Sequence, residues 1–276
     1  MGLDESRYSR NIALFGPEGQ KKIASRKVLI VGLGGLGSHL AQQLAYLGVV
    51  DFGLVDDDVV TSSSLNRLIG GVEFDVVAET PKVTVAKRLI VQIQPTANVG
   101  AVDRKVADER VPALVARADI VFGCVDRDLP RLQLTELCTR HAKPYFDLAS
   151  DTGGEGADAW FGGRVVFCDG TRCLSCLDLL DQEQMARDSM SPEQREADDE
   201  IYGIDRKMFD QSGPAVVSVN GAVASLAVTE FMAVVTGIRH PVAHLVYRGD
   251  LAQLTKSIDP PREGCWYCTQ LWGCDS

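Results

Sequence analysis

Histidine is scarce in this chain: the four present are scattered and accompany no nucleophile pattern. Basic residues form no cluster, and 28 of them stand against 38 acidic ones for a net charge of −10. That balance argues against nucleic acid as the main partner. The N-terminus, MGLDESRYSRN, carries charges where a secretory leader needs an apolar core. The longest apolar tract, Val219 to Val235, contains Asn220 and Glu230 and is too short to span a bilayer. It reads as a buried helix, with no membrane partner implied. Its Gly221, Ala222, Ala224, Ser225 and Ala227 suit close packing, against a second subunit among other partners. Neither an internal repeat nor a low-complexity linker divides the 276 residues, so one integrated fold is expected. Eight cysteines without a leader imply a reducing, cytoplasmic setting, with metal or thiol chemistry favoured over disulfides.

What is there begins at Lys27. The apolar, β-branched run Val28 to Val31 has the length of a buried parallel strand. Gly32, Gly34 and Gly37 follow as G-x-G-x-x-G, then Leu36, Leu40, Leu44 and Leu47 at helical spacing, with Gly48 closing the helix. A second strand, Phe52 to Val55, delivers Asp56, 19 residues beyond Gly37. Strand, glycine loop, helix, strand and acid together are a nucleotide-binding arrangement, against the bland reading of a tight turn. A phosphate there faces the free N–H groups of the helix start. Asp56 is placed to accept hydrogen bonds from a ribose.

Ahead of this unit, Arg7-Tyr8-Ser9-Arg10-Asn11 leads into a short helix over 12–15 that stops near Gly16-Pro17. Arg7 and Arg10 are either a solvated arm or guanidiniums for a phosphate site. Beyond Asp56 the adjacent Asp57 and Asp58 repel it and one another, which calls for a nearby cation or hydroxyl. Thr80-Pro81 begins a helix with a cap and a first-turn proline, and Val83, Ala86, Ile90 and Ile93 form its buried stripe. Lys82 sits in the first turn, where a cation opposes the helix dipole. It is a plain surface lysine or the partner of an anion.

Strands over 98–106, 119–125 and 144–149 alternate with helices over 111–118 and 130–141. The alternation predicts an α/β fold: a Rossmann-like, doubly wound, mostly parallel sheet through about residue 150. Asp126 ends the middle strand at the carboxyl edge, where such sheets bind ligands. The expected layout is an arm over 1–26, a nucleotide-binding region over 27–150, and a C-terminal antiparallel extension over 151–276 belonging to the same domain. In that extension, 157–161 and 164–168 around Gly162-Gly163 read as a hairpin, and 245–258 as antiparallel strands about Gly249-Asp250. Residues 181–200 carry eight acids against two arginines, an exposed helix or mobile loop.

Cys173-x-x-Cys176 and Cys265-x-x-Cys268 are two knuckles that together complete a tetrahedral S4 zinc site. The 88 residues between the pairs exceed a compact zinc ribbon, so separate reduced or redox-active thiols stay open as the alternative. Cys124, Cys138 and Cys168 fall in strands or helices and read as inert buried thiols. Cys274 lies near a loose terminus. His39, inside the first Rossmann helix, reads as packing.

Dinucleotide-dependent oxidoreduction is the default for a glycine fingerprint with a downstream acid. Arg10, Arg67, Lys82 and the knuckles serve hydride transfer poorly. The three cations suit attack on the α-phosphate of ATP, with Asp126 holding Mg2+. R-Y-S-R-N at 7–11, G-L-G-G-L-G at 32–37, Asp56-x-Asp58, S-x-N-R at 64–67, P-K-V at 81–83, C-V-D at 124–126 and the paired C-x-x-C resemble the ThiF/HesA/MoeB family, relatives of the ubiquitin-activating enzymes. The matches keep the family's order over nearly the whole chain, and Ser212-Gly213-Pro214 resembles its return into the last core helix.

The resemblance implies an adenylyltransferase that uses MgATP to adenylate the C-terminal glycine of a ubiquitin-like or sulfur-carrier protein. Gly34, Gly35 and Gly37 would line the nucleotide loop and Asp56 would hold the ribose. Arg67 and Lys82 would contact phosphates and Asp126 would position Mg2+, while Asp58, Ser64 and Asn66 fall within the same nucleotide-binding motifs. Arg10 would reach the partner's site in a homodimer, and Cys173, Cys176, Cys265 and Cys268 would hold Zn2+. The chain departs from the pattern twice. Ser64 stands where the family usually has Asn, and no cysteine occurs between Cys176 and Cys265. The second departure predicts adenylation without a covalent thioester at the crossover loop, with a downstream thiol, sulfide or amine taking the acyl group. The acidic 181–200 segment lies in that loop and is expected to guide the carrier's tail. Adenylation of a short peptide or other small carboxylate, and an inactive nucleotide-binding scaffold, are the alternatives.

Overall fold

In the computed structural model, which describes residues 4–191, 193–195 and 215–275, eight strands form one sheet in the order β3-β2-β1-β4-β5-β6-β7-β8. Strands β1 (Lys27–Val31), β2 (Asp51–Val55), β3 (Asn98–Val102), β4 (Ile120–Gly123) and β5 (Tyr145–Gly153) run parallel. Strands β6 (Trp160–Cys168), β7 (His244–Arg248) and β8 (Gln253–Lys256) extend the sheet antiparallel. This is the expected α/β architecture. Chain order reverses between β1 and β4, so ligands have a crevice at the carboxyl ends of those strands.

One face is covered by α1 (Ser9–Ala24), α2 (Gly35–Leu47), α4 (Lys82–Ile93), which the short α3 (Glu73–Val77) precedes, and α8 (Val217–Thr236). The opposite face is covered by α5 (Val111–Arg117), α6 (Asp128–Arg140) and the cysteine segments, with α7 (Gln182–Asp188) against α6. Each face has its own apolar core, and the central strands are buried on both sides, which is why they read as continuous apolar runs. Leu36, Leu40 and Leu44 bury the inner stripe of α2, and left-handed Gly48 ends it.

Several boundaries differ from the sequence reading. Helix α1 does break at Gly16 (φ 74°), but Pro17 starts a second helical stretch that continues to Ala24. Helix α4 begins at Lys82 with Pro81 as its N-cap and no side-chain cap, so neither the Thr80 cap nor the first-turn proline is realised. Strand β3 stops at Val102, four residues early. The hairpin at Gly162-Gly163 does not form. Strand β6 runs straight through both glycines, and the turn lies at residues 154–159 between β5 and β6. A side chain at Gly162 would overlap the Tyr247 carbonyl, and one at Gly163 the Ala149 carbonyl. These glycines mark close backbone approach within a strand, not a turn.

Helix α8 is 20 residues long and apolar enough by composition to cross a membrane, so length does not exclude that role as the shorter sequence reading implied. It packs against α1, α2, β5 and β6, with Val223, Ala224, Ala227 and Phe231 fully or almost fully buried, as a core helix does. Ser212 to Pro214, and 192 and 196–200 of the acidic segment, lie outside the described residues.

Candidate nucleotide site

The glycine loop leaves β1 and enters α2 at Gly35. Gly37 lies so close to the Gly32 carbonyl that any Cβ there would overlap it, which closes the turn tightly over the strand end. The N–H groups of the first helical turn are left without intrahelical acceptors.

Asp56, at the carboxyl end of β2, accepts from the Leu33 N–H (2.5 Å, Oδ2) and the Asp58 N–H (2.9 Å, Oδ1). The acid is thus tied to the glycine loop, with its remaining lone pairs available to hydroxyl donors. Burial pushes its carboxyl up to about 6, partly offset by the Lys82 charge and the two N–H donors. Lys82 is fixed twice by Asp58: its N–H donates to the Asp58 carbonyl (2.9 Å) and its Nζ meets the Asp58 carboxylate (2.6 Å). The lysine flanking Asp56 is therefore pinned by the second acid of the D-x-D pair.

Arg67 reaches the loop from the segment after β2. The Ile69 N–H donates to Ser38 Oγ on α2 (3.0 Å), fastening that segment to the helix start. A Cβ placed on Gly35 would touch Arg67 Cδ at 3.4 Å. The guanidinium donates to the Ser63 carbonyl (2.6 Å) and to Asn66 Oδ1 (3.2 Å), so Asn66 orients Arg67. Ser64 is buried, and its hydroxyl is engaged by the Thr61 N–H (3.2 Å) and the Thr61 hydroxyl (3.0 Å). It caps a single helical turn inside the segment. Asp126 is exposed two residues past Cys124, whose carbonyl packs on Gly32.

Arg10 is not part of this cluster. It is exposed in the first turn of α1, next to Tyr8, which packs on Gly48 at the far end of α2. A 13-residue helix is about 20 Å long, and that length separates Gly48 from Gly35. Arg7 likewise donates to the Ile93 carbonyl at the end of α4.

Four residues that the sequence reading left without a role support the site. Arg131 on α6 donates to both oxygens of buried Asp147 (2.7 and 2.6 Å) and to the Val125 carbonyl (2.7 Å), anchoring the strand end before Asp126. Ser150, in β5 just past its pairing with β4, donates to Asn220 Oδ1 (2.6 Å) on α8. The available signal was polarity out of place: Asp147 among the apolar residues at 145–149 and Asn220 in the most apolar tract.

On the opposite face the two knuckles meet. The sulfurs of Cys173, Cys176, Cys265 and Cys268 all lie within 4.8 Å of one another. The Cys173 sulfur is 3.8 Å from that of Cys176 and 3.7 Å from that of Cys265. A zinc–thiolate tetrahedron with bonds of about 2.3 Å has edges of about 3.8 Å, so the donor set fits. Cys138 and Cys168 are buried with thiol pKa values pushed up by burial, as expected of inert cysteines, and half-buried Cys124 behaves alike. His39 packs against Gly221 of α8 and burial lowers its pKa.

The ThiF family model matches residues 8–266. This chain belongs to the ThiF family. "Protein HesA, vegetative" of Trichormus variabilis is 31% identical over 251 residues, covering 90% of this chain and 83% of that protein. The Escherichia coli sulfur carrier protein ThiS adenylyltransferase is 35% identical over 165 residues. That match covers 59% of this chain and 62% of the relative, so the chain spans less than two thirds of it. Among solved structures, the microcin C7 biosynthetic enzyme MccB in complex with N-formylated MccA superposes with a TM-score of 0.73 at 21% identity, covering 96% of this chain and 75% of that one. The structural likeness establishes the fold, and the sequence matches establish a ThiF-family chain whose named relatives include adenylyltransferases.

Proposed function

We propose that this ThiF-family chain adenylates the C-terminal carboxylate of a ubiquitin-like or sulfur-carrier protein at the expense of ATP. The supporting observation is the convergence of Asp56, Arg67 and Lys82 on the open N-terminus of α2. Asp56 accepts from the ribose hydroxyls. The phosphates lie at the helix start, where the N–H groups and the Arg67 and Lys82 cations meet their charge.

A carboxylate oxygen attacks the α-phosphorus, the new P–O bond forms, and the bond to the bridging oxygen breaks as pyrophosphate leaves with its electron pair. The attacking group is already ionised at neutral pH, so no general base is required. Alignment and charge stabilisation of the leaving group lower the barrier. This accounts for a site without a catalytic histidine. Asp126 would hold Mg2+, which neutralises phosphate charge when bound. Cys173, Cys176, Cys265 and Cys268 would hold a structural Zn2+ joining the chain's end to its middle. Because Arg10 lies a helix length from its own loop, the reading requires a homodimer in which it serves the partner's site. With no cysteine between 176 and 265, the acyl group passes from the adenylate to an external thiol, sulfide or amine.

ATP–pyrophosphate exchange tests the reading. Exchange that depends on an added carrier ending in Gly-Gly is the expected result. Exchange with short peptides or small acids alone would replace the carrier by the alternative substrate class. ATP binding without exchange for any carboxylate would leave a nucleotide-binding scaffold.

A further inference from the structure

Asn220 is 1% exposed, and among the described residues only the oxygen half of its amide is engaged. With Ser150 donating to Oδ1, Nδ2 points the other way, at the glycine loop. A Cβ built on Gly35 would overlap Nδ2, and the same point is 3.4 Å from Arg67 Cδ. The amide nitrogen, the Arg67 stem and the first residue of α2 therefore enclose one small volume at the helix N-terminus. Among the described residues Nδ2 donates no hydrogen bond.

Nδ2 is not one of the fully buried side-chain atoms without a partner among the described residues, so the trace of exposure that Asn220 keeps leaves this nitrogen accessible at the loop. Small and hydrophobic side chains occupy most neighbouring positions of α8, so the amide at 220 stands out as a polar group with one free donor facing the loop. The asparagine also comes from the side of β1 opposite Asp56: Asp56 follows β2, whereas Ser150 lies in β5, past the stretch that pairs with β4. A ligand anchored at Asp56 by its sugar crosses the glycine loop before it reaches Asn220.

We infer that Asn220 Nδ2 donates a hydrogen bond to a phosphate oxygen of the bound nucleotide at the start of α2, with Ser150 as the positioning residue that fixes the amide. The inference rests on the nucleotide reading above and adds a ligand-contacting group to it. A neutral donor suits this place. It binds the phosphate retained on the adenylate without adding positive charge that would hold back the departing pyrophosphate.

Calorimetric titration of the full-length protein with ATP, AMP and adenosine tests it. Asn220→Asp keeps the size and the Ser150 contact but sets a carboxylate against the phosphate, and Asn220→Ala removes the donor. A hydrogen bond to a charged group implies about ten- to hundred-fold weaker ATP and AMP binding for Asn220→Ala, and a larger loss for Asn220→Asp. Adenosine, which has no phosphate, should bind all variants as it binds wild type. Ser150→Ala should show a smaller loss confined to the same two phosphate ligands, and it serves where a 220 variant fails to fold. Unchanged ATP and AMP binding overturns the inference and leaves the nucleotide reading intact, as does an equal loss for all three ligands, which a purely structural asparagine would give. A wild-type protein that binds none of the three overturns both.

Discussion

Arg131 and Asp147 form the most deeply buried ion pair of the site's frame, so their removal has a calculable cost. Asp147 is fully buried and Arg131 is 5% exposed. Arg131→Leu would leave the Asp147 carboxylate with the Tyr145 hydroxyl at 3.0 Å and the Arg164 guanidinium at 3.8 Å as its partners. Breaking one member of a buried pair costs about 3–5 kcal/mol, because the remaining charge stays desolvated. The second cation at 3.8 Å puts the expectation at the lower end, about 3 kcal/mol. Replacing both members removes the orphaned charge, so Arg131→Leu/Asp147→Leu should recover part of the single-mutant loss, a coupling of about 1–3 kcal/mol. Urea unfolding followed by fluorescence and circular dichroism measures all three variants. There is also a functional consequence: without the guanidinium, the Val125 carbonyl loses its 2.7 Å donor one residue before Asp126. The Mg2+ concentration giving half-maximal exchange should rise, while adenosine binding, which depends on Asp56, should not change. A single-mutant cost below about 1 kcal/mol, or strictly additive losses in the double mutant, would refute the reasoning.

Three further outcomes follow from the same geometry. Asp56, raised by burial to about 6, should lose its charge as pH falls through that value, so adenosine binding weakens below it and Asp56→Asn abolishes the dependence. The stability sign is the reverse: a carboxyl whose folded pKa lies above its unfolded one favours the protonated folded state. This group therefore adds stability to the free protein as pH drops from 7 towards 5, and a flat wild-type profile matching Asp56→Asn would contradict that. Lys82→Met should lower exchange about 100- to 1,000-fold, the scale for losing one preorganised group that meets developing charge. Mixing inactive Arg10→Ala and Lys82→Met subunits should restore about a quarter of wild-type activity by random pairing, since only one of two sites in a mixed dimer is intact. No recovery after exchange of subunits would remove the trans role of Arg10.

The parts of the site that were legible in the sequence share a cause. The glycine loop and Asp56 follow each other through a strand and a helix, so local spacing fixes their meeting, and Leu33 N–H to Asp56 Oδ2 is the contact that results. The two cysteine pairs were legible as knuckles because each is local. Their meeting across 92 residues is a property of the sheet, which brings Cys173 and Cys265 to one face. Asn220 and Ser150 lie 70 residues apart and belong to no spacing rule, so only the packing of α8 over β5 brings them together. The glycine pair in β6 failed for the opposite reason. Local turn propensity was overridden by neighbouring backbones that leave no room for a side chain.

Ser64 bears on how far a motif position can be read as a ligand. Position by position it belongs to the S-x-N-R run that ends in Arg67, which suggests a direct contact with nucleotide. Its hydroxyl is instead engaged by Thr61 and it is 6% exposed, while exposed Asn66 orients the Arg67 guanidinium. A short side chain in that place shapes the turn that carries Arg67, and the polar reach is supplied from elsewhere. Asn220 enters the same volume beside Gly35 from the other side of the loop. Substituting Ser64 by Ala should therefore act through the turn. Losing a cap costs about 1 kcal/mol of stability, and ATP binding should weaken only as far as Arg67 is displaced. Ser64→Asn should gain nothing unless the turn reopens, because the added amide would have to replace a buried hydroxyl already bonded on the inside.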